Sequence, residues 1–341
     1  MSVSLPPTTA RPPATARPLA LPTTARPPGP LSDAQRVILE NVPQEPSARA
    51  PVDERHYVQT NEPRHDAYFS WIDGVGGGYL GVGADQNYTL IGRARSELVW
   101  LFDYDLVVTQ AHRVFRALVL EAPAVPEFLA LWEPDAHAAA VAAIERAEAG
   151  AEDLSELTDL FREIKVSMRG YFTRLAERTS KGVPITWLSD PASYEWVRGL
   201  FQAGRVRIVK ADLLGDTTLP AIAVAHARLG VPMRVVYLSN AEAYFFYDDS
   251  FRASIAAMPA DGRSFVLRTV NLPQFQGEDR SIWHYQIQPL EHFAAALGET
   301  GIDRAADLHS RATYTRRGGI SLLGIDRPDL GLEPPDPPEE R

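Results

Sequence analysis

The sequence predicts an α/β protein with an open, mainly parallel sheet and helices on both faces. Short apolar runs with strand character alternate with helical stretches along most of the chain, and this alternation is typical of parallel sheets covered on both sides. A glycine-rich turn joins the first apolar run to a helix. A long helical stretch between the second and third runs predicts an insertion in the same domain.

The predicted strands are short runs rich in β-branched and aromatic residues, bounded by turn residues. In chain order they are Gly78–Val82, Leu98–Phe102, Val206–Val209, Met233–Leu238, Phe265–Val270 and Trp283–Ile287.

Helix signals lie between most of these strands. Asp190 and Pro191 form an N-cap and first-residue pair, and the helix that they begin is predicted to stop near Gly204. Two further helices, Leu219–Leu229 and Pro289–Leu297, are each followed by a glycine, which is typical of a helix end.

The span from about 106 to 200 is largely helical, and its part at about 115–200 is predicted to be an insertion that could cap a ligand cleft. Asp135–Ala149 is an alanine-rich helix closed by Gly150. A second helix carries an apolar stripe at three- and four-residue spacing, for which core packing is the ordinary explanation. The stripe consists of Leu154, Leu157, Leu160, Phe161, Ile164, Met168, Tyr171, Phe172 and Leu175.

Both ends of the chain are rich in proline. Residues 1–34 include TTARPP twice and are predicted to be a disordered leader, because repeated proline favours extended polyproline II and offers nothing to bury. Residues 326–341 read as an acidic, proline-rich tail. The folded α/β domain is therefore predicted at 35–325.

Composition narrows the class of partner. The 341 residues are 45% apolar and carry a net charge of −10, so a basic surface for nucleic acid or an anionic membrane is not expected, and a small-molecule ligand is favoured. The chain has no cysteine, which excludes disulfides and thiolate chemistry. No apolar stretch approaches the length of a membrane span, and the N-terminus lacks the apolar stretch of a signal peptide. We therefore expect a cytoplasmic location; the oligomeric state is left open.

The most specific motif is YLGVGADQN, residues 79–87, followed by Asp103 and Asp105 after the second strand. Gly81 and Gly83 are predicted to let a ligand approach the main chain, while Asp85, Gln86 and Asn87 open a helix whose first N–H groups are free. An acid about 20 residues further on accepts ribose hydroxyls in nucleotide-binding βαβ units. The motif therefore predicts a nucleotide-type ligand.

Other polar residues follow later strands. Asp212 comes just after the third strand, and Ser239, Asn240 and Glu242 come just after the fourth. Ligands of open parallel sheets bind outside the carboxyl ends of the strands. We therefore expect these residues to converge near the glycine turn.

With these residues in place, the chain resembles the class I S-adenosylmethionine-dependent methyltransferases over roughly 75–275. The resemblance implies that S-adenosylmethionine is the cofactor. It matches Gly81 and Gly83 to the family's glycine turn, Asp103 or Asp105 to its ribose acid, and Asp212 to its adenine-side acid. It matches Ser239 and Asn240 to the cluster that faces the methyl group. The chain also looks like a group of uncharacterised bacterial proteins that share a GGYLGVGxDQN block.

Methyl transfer requires positioning of the sulfonium and, for weakly acidic acceptors, a base. Glu242, His284 and Tyr285 are the candidate catalytic residues, whereas His112 is interpreted as structural. The methyl acceptor is left open. Tyr79 stands where the methyltransferases usually have an acid, so a non-catalytic binding or scaffold protein is the alternative from another class.

A magnesium-dependent phosphatase is a further alternative. LFDYDLVV fits the nucleophile block of haloacid-dehalogenase-like phosphatases, with Asp103 as nucleophile, Asp105 as general acid and Ser239 as the phosphate-binding residue. That family needs a lysine after the serine block, and no lysine follows Lys210. A weaker interpretation still is a nucleotide-sugar transferase in which Asp103 and Asp105 form a metal-binding DxD motif. So short a motif occurs often by chance.

Overall fold

A computed structural model describes residues 26–45, 55–271, 282–309, 311, 314–315 and 319–326. The predicted disorder of residues 1–25 and 327–341 concerns segments that lie outside the described residues. The described part is a mixed α/β structure built around one large sheet.

Within the described residues, eight strands form the large sheet and two form a separate hairpin. In chain order the strands are β1 Gly78–Val82, β2 Leu98–Asp103, β3 Thr179–Ser180, β4 Val183–Pro184, β5 Val206–Lys210, β6 Met233–Ser239, β7 Phe265–Val270, β8 His284–Pro289, β9 Tyr314–Thr315 and β10 Ile320–Leu322. The six strands predicted from the sequence are all present, with ends that differ by at most two residues.

The sheet has the order β5-β2-β1-β6-β7-β8-β10-β9. Strands β5, β2, β1, β6 and β7 are mutually parallel, whereas β8 is antiparallel to β7 and parallel to β10. Strand order reverses at β1, because the chain moves outward to β2 and β5 and then returns to β6 on the other side. This is the arrangement of Rossmann-like sheets, and it confirms the predicted fold class.

The helices lie between the strands and around the sheet. They are α1 Asp33–Glu40, α2 Phe69–Ile72, α3 Gln86–Ala94, α4 Leu106–Glu121, α5 Val125–Ala130, α6 His137–Ala147, α7 Leu154–Ala176, α8 Pro191–Gln202, α9 Thr218–Leu229, α10 Asp249–Ala257, α11 Leu290–Leu297 and α12 Ala305–His309. As predicted, Asp190 caps α8 by accepting from the N–H of Ala192, and α9 ends at Gly230 in the left-handed region. Among the helices of the described ranges, none is long and apolar enough to cross a membrane.

Two apolar cores lie on opposite faces of the sheet. Tyr79 of β1 belongs to the core shared with α3–α8, and the next residue, Leu80, belongs to the core shared with α1, α9, α10 and α11. Successive strand residues point to opposite faces, so a strand buried on both sides is expected to be apolar along its length, as β1 is and as β2 is up to its last residue, Asp103.

The predicted insertion is the helical segment α4–α8, which joins β2 to β5 and includes the β3–β4 hairpin. The apolar stripe of α7 packs into the core, which confirms its ordinary explanation. Ion pairs fix α4 to the turn between α6 and α7, where Arg113 contacts Glu148 and Asp153, and Arg116 contacts Glu148.

The predicted boundary of the leader is wrong at its C-terminal side. Residues 26–34 are described and make specific contacts: Ser32 caps α1 through a reciprocal pair with Gln35, and Arg205 Nε donates to the Gly29 carbonyl at 2.6 Å. Pro27 packs where a Cβ on Gly199 of α8 would lie. Proline-rich composition therefore did not prevent this segment from docking, because the body supplies apolar surface and a donor.

Candidate ligand-binding site

The turn after β1 is held together by Asn87. The side-chain amide Nδ2 of Asn87 donates to the carbonyls of Val82 at 3.1 Å, Gly83 at 3.3 Å and Ala84 at 2.8 Å. Its Oδ1 accepts from the hydroxyl of Tyr79 at 2.7 Å. Gly83 has a φ of +83°, which favours glycine. The turn is thus fixed by a fully buried side chain of the next helix.

The glycine at position 81 has a different role from the one predicted. A Cβ on Gly81 would overlap Oδ1 of Asn87 and the ring of Tyr79. The missing side chain therefore makes room for these two residues and not for a ligand, so the predicted approach of a ligand to Gly81 is wrong. Gly83 does face the cleft described below.

His112 of α4 supports the same turn and is structural, as predicted. Its Nε2 lies 2.7 Å from the Gly83 carbonyl, which can only accept, so this nitrogen carries the proton. Its Nδ1 then accepts from the hydroxyl of Tyr88 at 2.7 Å. Burial lowers the pKa of His112 to about 4, so the imidazole stays neutral near pH 7.

A cleft of about 330 Å³ opens at the carboxyl ends of β1, β2 and β6. It lies at the point where the strand order reverses, where ligands of such sheets bind. Six residues predicted from the sequence line it together: Gly83, Gln86, Asp103, Asp105, Ser239 and Asn240.

Asp103, at the end of β2, is a buried carboxyl that faces the cleft. Burial raises its pKa from 3.8 to about 7, and the charge of Asp105 adds to the rise, although the backbone N–H of Asp105 donates to it at 2.9 Å. A carboxyl shifted this far in a cleft is a marker of a functional site.

Asp105 has both a structural and a cleft-facing role. Its Oδ1 accepts from the N–H of Val107 at 3.0 Å and so caps α4. Its Oδ2 lies 2.8 Å from Nδ1 of His56. His56 precedes a segment, residues 57–62, that covers one side of the cleft.

Glu62 is a charged residue of the cleft that sequence reasoning missed. Its carboxylate is buried, lines the cleft and accepts from Thr269 at 2.7 Å, from His65 at 3.1 Å, and from the hydroxyls of Ser239 and Tyr237. Burial acts to raise the pKa of Glu62, but the hydrogen bonds from His65, Ser239 and Tyr237 and the attraction of His65 hold it below its ordinary value. Glu62 lies in an irregular segment, where no periodic pattern could have marked it.

Ser239 is held by Glu62 in an uncommon backbone conformation. Its φ is +50°, and its Oγ donates to Oε1 of Glu62 at 2.5 Å. A non-glycine residue in the left-handed region costs on the order of 1 kcal/mol, and such residues cluster at ligand sites. This backbone turn ends β6, and the next residue, Asn240, also lines the cleft.

Two residues that line the cleft each carry a buried amide oxygen that has no hydrogen-bond partner within the described ranges. The oxygens are Oε1 of Gln86, in the first turn of α3, and Oε1 of Gln59. Gln86 is only 5% exposed. An unpaired buried acceptor costs about 1–3 kcal/mol, and a ligand N–H would remove that cost.

Besides Gly81, three predicted binding residues do not line the cleft. Asp85 is buried on the other side of the turn, where its carboxylate accepts from Tyr171 at 2.9 Å and Trp187 at 3.4 Å. Burial raises the pKa of Asp85 to about 6, against these two hydrogen bonds. Asn87 holds the turn, and Asp212 accepts from the N–H of Leu214 in the turn after β5.

The three predicted catalytic residues also lie off the cleft. Glu242 is buried in an ion pair with Arg268 at 2.6 Å. His284 lies 2.5 Å from Ser321 Oγ, and burial lowers the pKa of His284 to about 4. The Tyr285 hydroxyl accepts from the N–H of Arg64 at 2.8 Å, and burial raises its pKa. The structure therefore does not place a general base from this set beside Asp103.

The helical insertion does not cap the cleft as predicted. Among the described residues that line the cleft, Val108 near the start of α4 is the one that belongs to the insertion α4–α8. The cover comes from residues 55–62, from Tyr244 and from Ile282 and Trp283. The insertion is tied to the sheet by its apolar stripe and by Tyr171, and so it packs on one face instead of crossing the sheet edge.

The fold and the cleft define a Rossmann-like α/β protein with a polar site at the strand-order reversal. A family model described as "Domain of unknown function (DUF7790)" matches residues 57–324. The chain belongs to this family. In a comparison with curated proteins, none matches the sequence.

Substitution of Gly81 tests how tightly the turn is packed. We expect Gly81→Ala to lower the free energy of unfolding by about 2 kcal/mol or more, because the added methyl displaces Asn87 from its three carbonyls. Gly170→Ala is the matched control. Gly170 lies inside α7 with room for a Cβ, so its change should raise stability by about 0.5–1 kcal/mol. Urea denaturation measures both; equal effects would contradict the packing described here.

Asp103 should make stability depend on pH. The pKa of Asp103 is about 7 in the folded state and 3.8 in the unfolded state. The buried neutral acid therefore contributes fully to the free energy of unfolding below pH 4, and this contribution is lost as the pH rises to about 7. Asp103→Asn, which stays neutral, should therefore be more stable than the natural chain at pH 8 by on the order of 2 kcal/mol, with the difference shrinking toward pH 5.

Urea unfolding of the natural chain and of Asp103→Asn at pH 5 and pH 8 measures this difference in stability. The titration of Asp85 cancels because both proteins contain it. Asp159→Asn, at a side chain that is 71% exposed, is the control and should show no such trend. A pH-independent difference between Asp103→Asn and the natural chain would show that the Asp103 carboxyl titrates normally.

Proposed function

We propose that the cleft binds S-adenosylmethionine or a related adenosine ligand. The observation that carries this proposal is the convergence of Asp103, Asp105 and the unpaired Gln86 oxygen at the strand-order reversal. The cleft volume of about 330 Å³ is within the range of small-molecule sites.

The chemistry of the wall fits an adenosine group. Asp103 and Asp105 offer carboxylate oxygens to ribose hydroxyls, and the amide oxygens of Gln59 and Gln86 accept from amino groups. Flat side chains also line the cleft and suit a purine ring. They are Tyr57, Tyr104, Tyr244 and Trp283.

Charge favours a cationic ligand in this cleft. Glu62 is held ionised by its hydrogen bonds, and Asp103 and Asp105 lie on the same wall. A positive sulfonium is attracted by this set, whereas a neutral thioether is not. We therefore expect S-adenosylmethionine to bind more tightly than S-adenosylhomocysteine.

Binding is a better-supported activity than base-assisted transfer. When bound, S-adenosylmethionine would supply an electrophilic methyl group; the residues of this chain would hold and orient it. Because Glu242, His284 and Tyr285 lie off the cleft, the proposal includes transfer only to an acceptor that needs no base. The cytoplasmic location and the small-molecule partner expected from the sequence are part of the same proposal.

The phosphatase alternative is favoured by one observation, since Asp103, Asp105 and Ser239 line the same cleft. However, β1 lies between the strands that carry them. Within the part of the chain that the structure describes, no cluster of three His, Asp or Glu residues could hold a metal ion.

Calorimetry at pH 8 with S-adenosylmethionine, S-adenosylhomocysteine and adenosine tests the proposal. We expect micromolar binding of S-adenosylmethionine and a loss of about tenfold or more in Asp103→Asn, because a charged acceptor for a ribose hydroxyl is removed. The matched control is Asp212→Asn, another aspartate after a strand end, which should bind as the natural chain does because Asp212 is off the cleft.

Three results would contradict this assignment. Absence of saturable heat with all three ligands would leave the scaffold alternative. A loss of binding in Asp212→Asn would place the ligand elsewhere. Mg²⁺-dependent hydrolysis of p-nitrophenyl phosphate, abolished in Asp103→Asn, would favour the phosphatase.

A further inference from the structure

A second cavity, which we call the arginine chamber, adjoins the cleft. Its volume is about 470 Å³, and it shares Asn240, Tyr244 and Trp283 with the cleft. It lies past the carboxyl ends of β6 and β7. Its wall also includes Glu242, Phe245, Phe246, Arg268, Arg304 and Ala306.

Arg268 of β7 is the unusual residue of this chamber, because its side chain is 1% exposed. Its Nε donates to Glu242 at 2.6 Å, its Nη1 donates to Gln288 at 2.7 Å, and its guanidinium lies 4.5 Å from the ring centroid of Phe293. These contacts fix the guanidinium plane.

The remaining nitrogen of Arg268 has no acceptor. Nη2 is buried and lacks a hydrogen-bond partner among the described residues. A buried N–H of a charged group is costly to leave unpaired, and the rigid fork of arginine suits a planar carboxylate. The unpaired nitrogen therefore indicates a ligand acceptor in the chamber that Arg268 lines.

The chamber differs from the cleft in charge. The cleft wall carries Glu62, Asp103 and Asp105 against the cation Arg55, whereas the chamber carries Arg268 and Arg304. Glu242 is the acid of the chamber among the described lining residues, and it is already paired with Arg268. Aromatic side chains form much of the remaining wall, including Tyr244, Phe245 and Phe246.

We propose that the arginine chamber binds a small aromatic carboxylic acid, with its carboxylate on Nη2 of Arg268 and its ring against the aromatic wall. A monoanion suits the site better than a phosphate dianion, because Glu242 already balances the charge of Arg268. Three shared wall residues place such an acid next to any ligand of the cleft. If the proposed function holds, on which this one step rests, the acid is the methyl acceptor: a carboxylate oxygen forms a bond to the methyl carbon as the bond from sulfur to that carbon breaks, which yields a neutral methyl ester and S-adenosylhomocysteine.

Phenylacetate is a suitable probe, with phenylacetamide as its neutral counterpart and phenyl phosphate as the dianion. Calorimetry on the full chain without an adenosine ligand tests the chamber independently of the cleft. We expect saturable binding of phenylacetate, at least tenfold tighter than that of either comparison compound. Failure of S-adenosylmethionine to bind would not affect this result.

Two variants locate the site. Ala306→Trp, at an exposed residue of the chamber wall, should weaken phenylacetate at least tenfold by filling the space, whereas Ala139→Trp, at an exposed residue of α6, should not change it. Glu242→Gln should tighten phenylacetate about fivefold, because a negative charge beside the carboxylate is removed. The control is Glu148→Gln, which alters a buried ion pair far from Glu242 in the sequence. It should not change the affinity for phenylacetate.

Thermal unfolding of each variant confirms that it is folded before binding is compared. No saturable binding of phenylacetate by the natural chain would overturn the proposal. Equal affinity for phenylacetamide, tighter binding of phenyl phosphate, or weaker phenylacetate binding in folded Glu242→Gln would each overturn the carboxylate–Arg268 contact.

Discussion

The hydrogen bonds of Asn87 to three successive carbonyls are the constraint on which the site depends. They fix the turn after β1, and they require a glycine at position 81, because the carboxamide occupies the space of a side chain there. The turn sets the start of α3 and so brings Gln86 to the cleft wall. His112 fixes the same turn from α4. The site is therefore held rigid by buried side chains.

Two buried carboxyls of the cleft differ in protonation because their surroundings differ. Glu62 accepts hydrogen bonds from four side chains, and three of these, His65, Ser239 and Tyr237, hold its pKa below the ordinary value despite burial. Burial raises the pKa of Asp103 to about 7, and the neighbouring charge of Asp105 adds to the rise. The same residue chemistry thus yields a permanent negative charge at one point and a titrating group at another. The neighbouring arginine chamber has the opposite polarity.

Much of the fold could be predicted from local signals. The six main strands and the helices capped at Asp190 or ended at Gly230 follow from short-range patterns, which do not depend on distant residues. The convergence of Asp103, Asp105, Ser239 and Asn240 was also predictable, because the carboxyl ends of neighbouring parallel strands meet at one edge. Side-chain direction was not predictable, and so Asp85 and Asp212 were expected at the cleft although neither lines it.

The sequence by itself determined the class of fold, the order of its elements and the edge of the sheet that carries polar residues. Tertiary structure alone decided which of those residues share a cavity. Glu62 and Arg268 show the reason, because most of their partners lie far away in the chain, such as Ser239 and Thr269 for Glu62 and Gln288 for Arg268. Burial and pairing between distant segments determine the charge and availability of a polar group, and a linear pattern of residues does not contain them.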